Sequence, residues 1–133
     1  MNVVLWVAQI LLAVVFLLSG SIKISWAKQR LISSGQTGVA PFPVPVIRFV
    51  AACELLAVLG LLLPRPTGVA PVLTPLAAVG LAVVMVGAMI SHGSLLRADL
   101  AAGRGSREAV NVGANVFFLA VCVLVAVGRF ATA

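Results

Sequence analysis

Apolar residues fall into four long runs, separated by polar or proline-rich stretches. The runs are Val3–Ser19, Val46–Leu63, Ala70–Ser91 and Val110–Phe130. Each is close to the roughly 20 residues that a helix needs to cross a bilayer. Backbone polar groups in lipid must be satisfied within the spanning element, which favours helices over strands. The pattern predicts an all-α, single-domain integral membrane protein. Its expected form is a four-helix antiparallel bundle, with helices at about 3–23, 46–63, 70–91 and 109–130.

Composition supports the membrane class. The chain is 62% hydrophobic and 9% charged, whereas a soluble domain has about a quarter charged residues. The net charge of +6 comes from basic residues scattered through connecting segments without interleaved aromatics. This disfavours nucleic acid as a partner and makes the lipid bilayer the expected one.

The basic residues are distributed unevenly between the two ends of the predicted bundle. Two of them, Arg65 and Arg129, lie at one end and seven lie at the other. The seven are Lys23, Lys28, Arg30, Arg48, Arg97, Arg104 and Arg107. The positive-inside rule therefore predicts a multi-pass protein of the cell membrane, with both longer connections cytoplasmic and both termini outside. No basic residue precedes the first apolar run, which argues against a cleaved signal peptide.

The first connection, 24–45, is too long for a plain link between packed helices. It opens with an amphipathic basic stretch, 26–32, which predicts a short helix on the membrane surface. Alternating prolines at 41, 43 and 45 then force an extended backbone. This segment either folds over the mouth of the bundle as a lid or rests at the interface. The connection 93–109 is predicted to be an ordinary solvated loop.

Glu54 lies in the middle of the second run, with almost nothing polar within a turn on either side. A charge at such depth costs about 2.5–3.5 kcal/mol on insertion scales, so the carboxylate is expected to face the bundle interior and to have a partner or a task. Lys23, at the end of the first run, and Arg48, in the first turn of the second, are the candidate partners.

The remaining polar residues of the spans are predicted to lie in the same half of the membrane as Glu54. His92 closes the third run, and Asn111 and Asn115 begin the fourth, where facing lipid would be costly. The other half holds only Gln9, Thr74 and interfacial residues. We therefore expect a polar cavity open to the cytoplasm, bordered by Glu54, His92, Asn111, Asn115, Lys23 and Arg48. Its apolar wall is predicted to include Phe16, Met85, Met89 and Phe118.

The cysteines and the single histidine do not form a familiar redox or metal motif. There is no C-x-x-C, and Cys53 and Cys122 are predicted at different depths, which disfavours a disulfide. With one histidine and distant cysteines, no metal site is expected.

Four short motifs carry a family resemblance. Ser19-Gly20-Ser21-Ile22-Lys23 closes the first run, and Glu54 is followed by Gly60 in the second. Ser91-His92 closes the third, and asparagines open the fourth. Over nearly its whole length the chain resembles the DoxX-like family of small four-helix membrane proteins. The resemblance implies quinone-linked or thiol-linked oxidoreductase systems, and chaperone roles in other members.

Three functions stay open. The first is an accessory membrane subunit that binds a quinone-like or lipidic ligand in the cavity, beside a membrane or peripheral redox protein. The second is a structural or assembly subunit in which Glu54 pairs with Lys23 or Arg48 to fix helix register. The third is a small membrane enzyme, with Glu54 as acid or base and His92 as its relay, acting on an isoprenoid-like substrate.

Gly80 and Gly87 form a small-residue face that would suit a homo-oligomer.

Overall fold

The computed structural model describes residues 2–34, 37–103 and 108–131, and within these ranges it contains helices and no strand. The elements are α1 (Asn2–Ser25), α2 (Lys28–Ser33), a 3-10 turn (Thr37–Val39), α3 (Val44–Leu62), α4 (Pro64–Thr67), α5 (Leu73–Ala101) and α6 (Glu108–Ala131). Four of these helices, α1, α3, α5 and α6, are long and apolar enough to cross a membrane. The predicted all-α membrane bundle is confirmed.

The four long helices form a closed ring. Helix α1 packs on α3, α3 on α5, α5 on α6, and α6 returns to α1. All four contribute to the core, with side chains such as Leu12, Val58, Leu81 and Val125. Their outer faces carry large exposed apolar side chains, as lipid-facing surfaces do. Examples, one from each long helix, are Val3, Phe49, Ile90 and Val127.

Glycines allow close approach of the helices at some positions and leave open space at others. A Cβ on Gly20 of α1 would lie 2.9 Å from the Leu55 side chain of α3, and one on Gly60 of α3 would lie 2.9 Å from Ala77 of α5. At Gly80 and Gly87 a Cβ would meet nothing within 4 Å. Among the described residues, nothing packs closely against Gly80 or Gly87, and the role of this face in a homo-oligomer stays a prediction.

The first connection packs onto the bundle. Helix α2 confirms the short helix predicted from the amphipathic stretch. Leu31 of α2, Val39 of the 3-10 turn and Ile47 of α3 form a small buried cluster, and the 3-10 turn also packs against α5. This segment therefore packs against α3 and α5 at the end of the bundle, and its role as a lid stays a prediction.

Helix α5 ends at Ala101 and not near residue 91, so the prediction that 93–101 is a loop was wrong. The stretch 94–101 contains three Leu, two Ala and one Arg, which are strong helix formers. The helix stops where Gly103 adopts a left-handed φ of 71°, a conformation that favours glycine just past a helix end. The rest of the predicted loop includes Arg104 and Arg107, which lie outside the described residues.

Candidate functional site

Two polar clusters lie at the end of the bundle that carries the α1–α3 and α5–α6 connections, here called the connection end. The opposite end, with the chain termini and α4, is called the terminus end. The first cluster joins α1 to α3. Lys23 Nζ donates to Glu54 Oε1 at 3.0 Å, and Ser19 Oγ donates to Glu54 Oε2 at 3.3 Å. Glu54 is fully buried. Of the two candidate partners, Lys23 is the one that binds it.

The local sequence of α1 explains this pairing. Ser19 and Lys23 are four residues apart and so share one face of the helix. Gly20 lies on the same side and lets α3 approach, because a larger residue would collide with Leu55. The Glu54 carboxylate therefore meets an ammonium and a hydroxyl without contact with lipid.

Arg48 has a different task from the predicted one. Its Nη1 donates to the backbone oxygen of Lys23, in the last turn of α1. The last carbonyls of a helix have no intrahelical donor and form the negative end of its dipole. Arg48 therefore caps the C-terminal end of α1 with a charged donor.

The second cluster joins α5, α6 and the 3-10 turn around Glu108. His92 Nδ1 lies 2.5 Å from Glu108 Oε2, and Asn111 Nδ2 donates to the same oxygen at 3.0 Å. Thr37 Oγ1 donates to Glu108 Oε1 at 2.5 Å. The carboxylate therefore ties the first connection to the two last long helices.

A cavity of about 300 Å³ lies between α3 and α5 at the connection end. Lys23 borders it from α1 and His92 from α5. Val39 and Phe42 of the first connection also line it, and the remaining wall is apolar. Each polar cluster thus contributes one residue to the same cavity.

Several predicted ligand contacts lie elsewhere. Phe16 and Met85 are buried in the hydrophobic core, and Phe118 packs against that core. Met89 is half-buried and does not line the cavity. Asn115 is also half-buried, and its Nδ2 has no hydrogen-bond partner among the described residues. Glu54 reaches the cavity wall through its bond to Lys23. His92 and Asn111 both bond to Glu108.

The terminus end is more polar than predicted. Arg129 is one of the two basic residues predicted at this end, and it is 1% exposed. Its Nε donates to Gln9 Oε1 at 2.5 Å and its Nη1 to Asn2 Oδ1 at 2.8 Å. Gln9 Nε2 in turn donates to the Leu61 backbone oxygen at 2.6 Å. This network joins α6, α1 and α3.

The spacing of residues in the sequence could have predicted that Glu108 and Arg129 face the bundle interior. Asn111, Asn115, Phe118 and Cys122 follow one another at steps of four, three and four residues, so they share one face of α6. Extended by the same three- and four-residue steps, this face reaches Glu108 in one direction and Arg129 in the other. Both residues are buried in the structure.

The fold and these clusters define a small multi-pass membrane protein. The sequence profile of the DoxX-like family matches residues 7–125, from α1 to near the end of α6. The chain therefore belongs to the DoxX-like family. No curated protein and no solved structure matches it. Membership agrees with the resemblance found in the sequence, and the side of the membrane on which each terminus lies stays a prediction.

Proposed function

We propose that this protein binds the polar head of a quinone-like or lipidic ligand in the connection-end cavity, as a membrane subunit of a redox system. The observation that carries the proposal is the cavity itself. It measures about 300 Å³ and combines an apolar wall with two polar side chains, Lys23 and His92. Ligand sites typically have this composition, with a few polar groups that fix orientation.

The polar groups are held in place before any ligand arrives. Lys23 Nζ uses one of its three N–H groups on Glu54 and has others for a ligand oxygen. His92 is oriented by Glu108 through Nδ1, which leaves Nε2 for a ligand. Such preorganisation reduces the entropy cost of binding. A ring carbonyl or an ester oxygen suits the Lys23 donor. The Nε2 of a neutral imidazole whose Nδ1–H faces a carboxylate accepts a hydrogen bond, so His92 suits a ligand hydroxyl.

The redox role rests on what the family resemblance implies. Cys53 is exposed on α3 while Cys122 is buried in the core, so these thiols do not support a dithiol centre. A quinone-like ligand is therefore preferred over thiol chemistry.

The test fills the cavity without disturbing the core. Gly87 lines the cavity, and a Cβ added there meets nothing within 4 Å. Gly80 lies two turns away on α5, is equally open, and lines a separate apolar groove. We expect Gly87→Leu to abolish co-purification of an apolar ligand in mild detergent, and Gly80→Leu to retain it. Mass spectrometry of the organic extract measures both.

A ligand retained by Gly87→Leu, or absent from the wild-type extract, would overturn the proposal. In that case the first cluster favours the structural role, since Glu54 and Lys23 already satisfy one another. Thermal unfolding of both glycine variants in the same detergent confirms that the comparison concerns folded proteins.

The contact between His92 and Glu108 favours one further candidate, an enzyme that transfers protons. A carboxylate that orients a histidine beside a cavity is a common acid–base arrangement. In this version Glu108 takes the place predicted for Glu54. Glu108→Gln would then abolish turnover of an isoprenoid-like substrate while the cavity still retained its ligand.

A further inference from the structure

The terminus end holds a buried positive charge whose partners are neutral. Arg129 is 1% exposed, and its hydrogen bonds go to the side-chain amides of Gln9 and Asn2. The Trp6 ring lies 5.4 Å from its Cζ. None of these groups carries a negative charge, so the described contacts orient the guanidinium without neutralising it.

The acidic residues of the chain lie far along their helices from this site. There are three in the sequence. Glu54 is bound to Lys23, Glu108 to His92 and Asn111, and Asp99 lies near the C-terminal end of α5. The nearby charge is instead that of Arg65 in α4, which repels Arg129. An uncompensated charge inside a membrane protein is strongly unfavourable.

One donor of the guanidinium is unused. Arg129 Nη2 is buried and has no acceptor among the described residues. The contact with Asn2 places the guanidinium at the first residue of α1. The first four N–H groups of a helix lack intrahelical acceptors and form its positive end, and the first turn of α1 has no acidic residue.

We propose that this end of the bundle binds a phosphate-type oxyanion between Arg129 and the first turn of α1. The donor set, a guanidinium with a helix N-terminus, is one that recognises phosphate. Asn2 is exposed, so its amide can give way to the anion without disturbing the core. The site lies at the end of the bundle, at the depth of lipid headgroups. It is separate from the connection-end cavity and does not depend on a ligand there.

The test supplies the missing negative charge from within the chain. Asn2→Asp places a carboxylate at the position of the Asn2 oxygen, whereas Asn2→Ala removes that oxygen and adds no charge. The probes are phosphatidylglycerol added to the detergent-purified protein and sodium phosphate, each compared with sodium chloride at equal ionic strength. Thermal unfolding and native mass spectrometry measure stabilisation and retention.

We expect the wild type and Asn2→Ala to be stabilised by the oxyanion. Asn2→Asp should unfold at a higher temperature without the probe and bind it about tenfold more weakly, as expected when a charge-assisted hydrogen bond is lost. Arg97→Gln removes an exposed arginine at the other end and should respond like the wild type. Arg129→Gln should lose the stabilisation by the oxyanion. If the Arg129→Gln protein does not fold, the comparison of the Asn2 variants still tests the proposal.

The two probes separate the sources of the anion. A response to phosphatidylglycerol alone assigns the site to a lipid headgroup, and a response to sodium phosphate as well assigns it to a free oxyanion. No response of the wild type to either probe, or an equal response of Asn2→Asp and the wild type, overturns the proposal.

Discussion

At the scale of single residues, the described ionisable groups inside the bundle differ in how completely they are paired. Glu54 is fully buried and bound to Lys23 at 3.0 Å. Removing one member of a buried pair leaves a charge without its partner, whereas removing both leaves an apolar contact that can be nearly neutral. The pair therefore stabilises the bundle chiefly because each member needs the other.

This predicts a difference between single and double substitution. Lys23→Met should lower the free energy of unfolding in detergent by about 3–5 kcal/mol, because Glu54 loses its counter-charge in the interior. Lys23→Met combined with Glu54→Met should recover most of that loss. Chemical denaturation followed by circular dichroism measures both proteins. A single variant as stable as the double variant would contradict this account.

The pairing of Glu54 could be predicted from the sequence, but the pairing of His92 could not. Glu54 is isolated in an apolar run, so a partner was required, and the sequence left Lys23 and Arg48 as the two candidates. Glu108 follows a glycine-containing segment, and its negative charge suits a helix N-terminus, so the sequence does not call for a side-chain partner. Its contact with His92 depends on how α5 packs against α6. The burial of Arg129 likewise depends on how α6 packs against α1.

At the scale of elements, the distance between α1 and α3 is set by a glycine. A Cβ on Gly20 would lie 3.1 Å from the Ala51 backbone oxygen as well as 2.9 Å from Leu55. The backbone oxygen cannot move without displacing α3. The close approach also brings Ser19 and Lys23 to Glu54, so helix packing and charge pairing depend on one residue.

We expect Gly20→Ala to destabilise the bundle by about 1–3 kcal/mol, the usual cost of overpacking. Gly113→Ala on α6 is the matched control, because a Cβ there meets nothing within 4 Å. That substitution should be neutral or stabilise by up to about 1 kcal/mol through helix propensity. Equal unfolding temperatures for the two variants would show that α1 and α3 can move apart without loss of stability, which would contradict this account.

Element positions were more predictable than element ends. The four long helices follow from apolar runs whose length matches a bilayer. The end of α5 could not be predicted in this way, since residues 93–101 are polar enough for a loop and yet have good helix propensity. Tertiary contacts decide between a loop and a helix for residues 93–101. Because they form a helix, His92 lies inside α5 and not at its end.

At the scale of the whole molecule, the charge distribution predicts an orientation. In a background of Cys53→Ala, Gln29→Cys probes the connection end and Val69→Cys the terminus end, and both positions are exposed. A membrane-impermeant maleimide on intact cells should label Val69→Cys and leave Gln29→Cys unlabelled until lysis. Cys122 is fully buried and should not react. The reverse pattern would place the cavity on the outer side.

The unequal lengths of the spanning helices have a mechanical consequence. Helix α3 has 19 residues, or about 28 Å, which matches a hydrocarbon core of about 30 Å. Helix α5 has 29 residues, or about 44 Å, and must tilt or protrude. We expect a thicker or thinner host membrane to change the tilt of α5 relative to α3. Because the walls of the connection-end cavity come largely from both, hydrophobic mismatch alters its width.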